Sequence, residues 1–311
     1  MKVFYHAVDL DGHCSGALVK MRYPKCELFG IDYGDLFPWT NIEPSEEIFM
    51  VDFSLQPFSK MAQLVNTFPG NLIWIDHHKS AIEEYEVWNK AHMLNPLPPI
   101  DGKRKIGKGA CELVWEYLSP EMENTPTFIK LLSEYDVWNH SDPRTLSFQY
   151  GIRQYDTYPE NQDFWKELFD LERVQQIVEE GSIILKYITS ENKKYVDACS
   201  FETELDGLKC IAVNKMLTNS QLFDSVWDEA KYDAMLTFGY KKGQWTVSLY
   251  STKDDIDVSV IAKNLAYRYG ISGGGGHKKA AGCQVNSINF IFTNAKQRKK
   301  TKYVKQSRRV I

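Results

Sequence analysis

Short apolar segments alternate with helix-like stretches through the first part of this chain, and that alternation limits its fold more than any other feature. VFYHAV, CELFGID, EIFMVDF and NLIWID read as buried strands. CSGALVKMRY, PFSKMAQLVNTF and SAIEEYEVWNKA, lying between or after them, read as helices. Apolar strands separated by helices form βαβ units and a parallel sheet. Such sheets place ligands outside the carboxyl ends of their strands. Asp9, Asp52 and Asp76 each stand at or just past such an end.

The remainder divides by composition. NPLPPIDGKRKI at 95–106 is rich in Pro, Gly and charge and reads as an exposed loop. Helices are expected at GACELVWEYL and TPTFIKLLSEYDVW, with Thr125 and Pro126 opening the latter, and a long helical stretch from Phe164 to Cys199. From Ser200 onward FETEL, KCIAVN, DAMLTFGY and QWTVSLYS have strand character, with KKG as a hairpin turn. DVSVIAKNLAYRYG reads as a helix and INFIF as a last strand. The expected fold class is therefore α/β. A doubly wound, mainly parallel sheet comes first, then a helical connector, then a smaller mixed α/β domain. The expected boundaries are 1–160, 161–199 and 200–295, with a tail at 296–311.

Charge and cysteine narrow the function classes. The net charge is −4, yet the final KQRKKTKYVKQSRRVI carries eight Lys/Arg and no acid, so the body without it stands at −12. A body this acidic is no general nucleic-acid surface. It suits a local phosphate site in which cations offset clustered carboxylates, while the tail could hold a polynucleotide or be merely solvated. No apolar run reaches the roughly 18 residues that span a bilayer. The opening MKVFYHAVDLDG lacks the pattern of a signal peptide. Six scattered cysteines without C-x-x-C pairs read as free thiols in a reducing, cytoplasmic compartment.

Individual motifs carry the chemistry. In Asp9-Leu10-Asp11-Gly12 two carboxylates at i and i+2 can face one cation or two neighbouring ones, or Asp9 can simply cap the following helix. Asp52, in MVDFS, and Asp136, in LLSEYDVWN, could each be a cap or an ordinary buried hydrogen-bond acceptor. Asp76-His77-His78, directly after an apolar strand, is the stronger signal. One histidine can ligate a metal while a carboxylate holds its other ring nitrogen, and the other can contact a phosphate oxygen or protonate a leaving group. Together these residues suffice for two divalent ions, and carboxylate with imidazole suits Mn²⁺ better than structural Zn²⁺. Such a pair, about 3.5–4 Å apart, activates water and clamps a phosphoryl group. Further on, four glycines precede His277 and Lys278, a pattern suited to a backbone nest for phosphate. Lys108 could help an anion dock at a helix start or be a plain loop lysine. Tyr155, Tyr158 and Trp165 are base-stacking candidates, although core packing is the commoner use of such residues.

These motifs jointly resemble the DHH phosphoesterase superfamily. The resemblance rests on D-L-D-G at 9–12, Asp52 after a strand, D-H-H at 76–78 and Asp136. GGGGHKKAAG at 273–282 resembles the glycine-histidine motif of the associated DHHA1 domain. The domain composition looks like the nanoRNase and oligoribonuclease branch. That resemblance implies a Mn²⁺-dependent phosphodiesterase acting on short single-stranded RNA or DNA, or on a small nucleotide, with Mg²⁺ or Co²⁺ as substitutes. A phosphatase of adenosine 3′,5′-bisphosphate, a cyclic-dinucleotide phosphodiesterase and a non-catalytic nucleic-acid-binding module are the alternatives. It further implies that Asp9 and Asp11 bind separate ions, Asp52 bridges them, and His77 and Asp136 complete the second. Asp76 would orient a histidine or reach the metal, and His78 would contact the scissile phosphate. Gly274, Gly275, Gly276, His277 and Lys278 would hold substrate phosphate. No membrane partner is implied, and a homodimer stays open. Three features depart from the pattern. His6 precedes Asp9 with only two residues between, leaving its part as a metal ligand open. Tyr250 stands in V-S-L-Y-S where many relatives carry arginine. The basic tail has no counterpart in the family pattern.

Overall fold

The computed structural model describes residues 1–94, 96–270 and 274–297, which divide between two units, Met1–Lys186 and Tyr187–Ile311. In the first unit the chain runs β1 (Lys2–His6), α1 (Leu10–Arg22), β2 (Glu27–Ile31), β3 (Ile48–Val51), α2 (Phe58–Thr67), β4 (Leu72–Ile75) and α3 (Lys79–Ala91). It continues through α4 (Ala110–Leu118), α5 (Thr127–Asp136), α6 (Thr145–Ile152) and α7 (Gln162–Glu167), and α8 (Leu171–Cys199) runs on into the second unit.

The four strands form one parallel sheet in the order β2-β1-β3-β4. Strand residues alternate between its faces. Val3, Tyr5, Phe49, Val51, Ile73 and Ile75 share one core with residues of α1, α4 and α5. Phe4, Ile48, Met50, Leu72 and Trp74 share another with α2. Both faces are therefore covered, which is why β3 and β4 are apolar at every position. The expected doubly wound parallel domain is what forms.

Residues 95–106 are not wholly the exposed loop the composition suggested. The carbonyls of Asp101 and Lys103 accept from the N–H groups of Trp74 (2.9 Å) and Asp76 (3.0 Å). This pairs backbone donors on the outer edge of β4 that burial would otherwise leave unsatisfied. Helix α6 was not foreseen. Thr145, Phe148, Gln149, Tyr150, Gly151 and Ile152 are all buried, so it has no polar face and no period to read.

The second unit contains β5 (Phe201–Leu205), β6 (Leu208–Asn214), β7 (Ala234–Lys241), β8 (Gln244–Tyr250), α9 (Val258–Tyr269), β9 (Gly275–Gly276), β10 (Ala280–Val285), α10 (Asn289–Phe292) and β11 (Lys296–Gln297). Its sheet has the order β11-β5-β6-β7-β8-β10-β9, and β6–β7 is parallel while the other pairs are antiparallel. The expected KKG hairpin joins β7 to β8, with Lys242 at φ +51° and Gly243 at φ +84°, the two positive dihedrals that a tight hairpin turn demands. INFIF is a correction: it holds the short helix α10, not a strand. Ile288 and Ile291 are the buried residues there, and spacing of three is helical rather than alternating. The sheet strand nearby is instead AAGCQV, where burial does alternate. Of the basic tail, 298–311 lies outside the described residues.

Candidate metal centre

The site gathers at the carboxyl ends of β1, β3 and β4. His6 ends β1, and Asp9 follows as the N-cap of α1, accepting from Gly12 N–H at 2.9 Å. The cap expected as the plainer role of Asp9 is thus real. The same carboxylate also reaches His6 Nδ1 at 2.7 Å, so it serves both purposes. Gly12 is required because a Cβ there would lie 2.0 Å from the His6 carbonyl oxygen.

Asp11 sits one residue inside α1 and is almost fully buried. Its two oxygens accept the backbone N–H groups of Ala110 (2.6 Å) and Cys111 (2.7 Å). These are the first N–H groups of α4, where the helix dipole favours an anion. The anion at that helix start is therefore Asp11 itself. Lys108 pairs instead with Glu112 (2.8 Å) and Glu116 (2.5 Å) and is not placed to recruit a ligand there.

Asp52 takes over immediately after β3. Its N–H still pairs with Ile75 O at 2.9 Å, but its φ is +56°. A left-handed conformation at a non-glycine residue costs about 1–3 kcal/mol. Here it accompanies a carboxylate that is 1% exposed, with both oxygens lacking a hydrogen-bond partner. The nearest imidazole atoms are His77 Nε2 at 3.3 Å and His6 Nδ1 at 3.6 Å. Burial, then the charges of Asp9 and Asp11, push its carboxyl well above the usual range. An acid so placed is suited to meet a cation.

Asp76 is fully enclosed. Oδ1 accepts from the backbone N–H of His77 (2.7 Å) and His78 (3.0 Å) and lies 2.7 Å from His78 Nδ1. Trp74 Nε1–H donates to Oδ2 at 3.2 Å. Burial works against ionisation here, but His78 and these donors hold the carboxyl below its ordinary value. Of the two roles left open for Asp76, this geometry is that of a group orienting His78. In turn, burial would lower His78, yet Asp76 and Asp52 lift it to about 9.

His77 completes the convergence. Its Nε2 lies 3.1 Å from Asp136 Oδ2, 3.3 Å from Asp52 Oδ1 and 3.7 Å from Asp11 Oδ2. Asp136 is the last residue of α5, and burial followed by Asp11 drives its carboxyl upward. Three groups have ligand atoms close enough to hold a cation: His6 with Asp9 and Asp52, Asp11 with His77 and Asp136, and Asp52 with His77 and His78. Asp52 belongs to the first group and its Oδ1 lies 3.3 Å from His77 Nε2 of the second, so it adjoins both. His6, whose part was open, stands in the first group.

Some expected contributors are elsewhere. Trp165 is core, and Tyr155 stacks on Phe164 at 5.3 Å. Tyr158 is exposed, its ring 5.0 Å from that of His13. In the second unit Gly275 and Gly276 form a strand paired with β10, and a Cβ on Gly274 would sit 2.4 Å from the Ala262 carbonyl oxygen in α9. Close packing thus accounts for the glycine at 274. His277 N and Ala280 O close the adjoining turn at 2.8 Å. Tyr250 O–H donates to Thr218 O at 3.2 Å.

Sequence reasoning missed several neighbours of the site. Asp32, just past β2, brings Oδ1 to 3.7 Å from His6 Nε2; its place after a strand, like that of Asp52, was the available signal. A cavity of about 280 Å³ lies beside the carboxylates, lined in part by Gln149, Arg153 and His13. None of those three sits in a recognisable motif.

Comparison with known proteins adds the following. Residues 216–301 match the DHHA1 domain. No curated protein sequence matches the chain. Among solved structures, the pGpG-specific phosphodiesterase PggH from Vibrio cholerae is 12% identical, with 91% of this chain and 92% of that one covered, at a TM-score of 0.51. An uncharacterized protein from Helicobacter pylori G27 is 16% identical over 92% and 93% of the two chains, at 0.40. An exopolyphosphatase-related protein from Bacteroides fragilis is 14% identical over 92% and 87%, at 0.43. The likeness to PggH is a likeness of fold.

Proposed function

We propose that this chain, a phosphoesterase of the DHH/DHHA1 superfamily, hydrolyses the phosphodiester of short linear oligonucleotides with a pair of divalent cations, Mn²⁺ foremost. The observation that carries this reading is Asp52, a buried carboxylate without hydrogen-bond partners between two sets of ligand atoms. His6, Asp9 and Asp52 would hold one ion, and Asp11, Asp52, His77 and Asp136 the other. Bound there, the ions would activate water and offset the charge of the phosphate. The chain's own residues do the rest. Asp11, fixed by the start of α4, keeps its carboxylate in register. Asp76 holds His78 through Nδ1, so that a contact with a phosphate oxygen runs through Nε2. In hydrolysis the water gives up a proton to solvent as its oxygen bonds to phosphorus, the ester P–O bond breaks, and the departing oxygen takes a proton. His78 is suited to donate along that coordinate. Residues 274–278 of the second unit are proposed to bind a phosphate group.

The fold shared with PggH favours a linear dinucleotide as substrate. The test is a panel containing pGpG, adenosine 3′,5′-bisphosphate, a cyclic dinucleotide and a long single strand, run after chelation and again with Mn²⁺. The expected result is Mn²⁺-dependent conversion of pGpG to mononucleotide. Binding of RNA without turnover of any member would identify a non-catalytic binder and overturn the proposal.

A further inference from the structure

The cavity beside the carboxylate cluster is not explained by metal binding. Asp9, Asp11 and Asp136 form part of its lining, so it adjoins the metal centre. Val8, Leu10 and Leu132 give it apolar wall, and Tyr135, Gln149 and Arg153 contribute the aromatic and polar groups. Its volume of about 280 Å³ falls at the low end of small-ligand pockets, roughly 300–1,000 Å³. That is room for a planar base.

Gln149 is the telling residue. It is 4% exposed, and its Oε1 is buried with no hydrogen-bond partner. Buried amide oxygens are nearly always satisfied, and leaving one unpaired costs about 1–3 kcal/mol. A carboxamide offers an acceptor and a donor side by side, the arrangement that reads the edge of a nucleobase. Arg153 is exposed on the same lining, its guanidinium 5.7 Å from the Tyr135 ring and 5.6 Å from the Tyr150 ring. A flat cation resting on aromatic faces can also stack on a base.

We infer that this cavity is the nucleobase subsite of the enzyme, with Gln149 reading the base edge. The inference rests on the phosphoesterase reading for the class of ligand, and it makes the protein selective for nucleotides over base-free phosphates. Arg153 is then the group at hand to cover the seated base. His13 is fully engaged, with Nε2 at 3.0 Å from Ala7 O and Nδ1 at 3.0 Å from Thr157 Oγ1, and supplies a fixed wall.

The test is calorimetric binding of AMP, GMP and ribose 5-phosphate to the full Mn²⁺-loaded chain. The base-bearing ligands are expected to bind about tenfold tighter than ribose 5-phosphate, about 1.4 kcal/mol. Gln149→Leu should bring that ratio close to one. Val8→Trp, at an exposed lining position, should lower it by filling the cavity without disturbing the core. Equal affinities in the wild type, or a ratio that survives both substitutions, would overturn the subsite. Turnover of pGpG with no preference for a base would remove the subsite alone. Preference for a base without turnover of any phosphoester would remove the catalytic reading alone.

Discussion

Asp76 shows how much one side chain can organise. It accepts from two backbone amides and an indole and still holds the His78 ring. Partners of this kind typically contribute 10–100-fold to activity. Asp76→Asn should therefore lower kcat about 10–100-fold with little change in KM, and should shift the alkaline limb of the pH–rate profile, because the group that raises His78 is gone. A profile with unchanged shape and only reduced amplitude would mean that Asp76 is structural. At this scale the sequence pointed to Asp9, Asp52 and His77, since charged residues after apolar strands need partners, and the fold brings Asp11 and Asp136 to the same cluster. Gln149 was not readable: a buried amide oxygen without a hydrogen-bond partner is visible only once its surroundings are folded around it. The choice between the two roles of Asp76 likewise depended on distances.

Elements set those distances. The start of α4 fixes Asp11, the end of α5 presents Asp136, and the turn after β3 aims Asp52 by taking a left-handed dihedral. In the second unit a comparable local device ties β6 to β7. Lys209 N–H donates to Asp233 at 2.8 Å, and Lys253 Nζ donates to the same carboxylate at 2.7 Å. The Lys253 bond, followed by the Lys209 amide, holds the Asp233 carboxyl below its ordinary value. A carboxyl depressed in the folded state stabilises at pH above its unfolded value of about 3.9, and that contribution fades as pH falls through the folded value. Asp233→Asn should lose about 0.5–1 kcal/mol of stability at pH 7. The gap to wild type should close as the pH of a denaturant melt is taken from 5 toward 2, and a gap independent of pH would refute the pairing. Strands and long helices were legible from periodicity. Helix α6 was not, being buried on all sides, and α10 was mistaken for a strand because a short apolar run fits either period.

Across the whole molecule, a four-stranded parallel sheet and a seven-stranded mixed sheet each have their own core. Among the described residues, no helix is long and apolar enough to cross a membrane. The first sheet brings together carboxylates and imidazoles that lie up to 130 residues apart in sequence, from His6 to Asp136. Without cations these acids repel one another, and Asp52 and Asp136 are driven toward protonation. Bound cations would relieve that repulsion and return both acids to the ionised form. The most direct test is titration of the chelator-stripped full chain with Mn²⁺, following heat and stoichiometry at neutral pH, on wild type and on Asp52→Asn. Two ions per wild-type chain, with the second lost or greatly weakened in Asp52→Asn, is the result expected of a shared carboxylate. A wild type that takes up no Mn²⁺, or a variant that binds two ions as tightly as wild type, would contradict it.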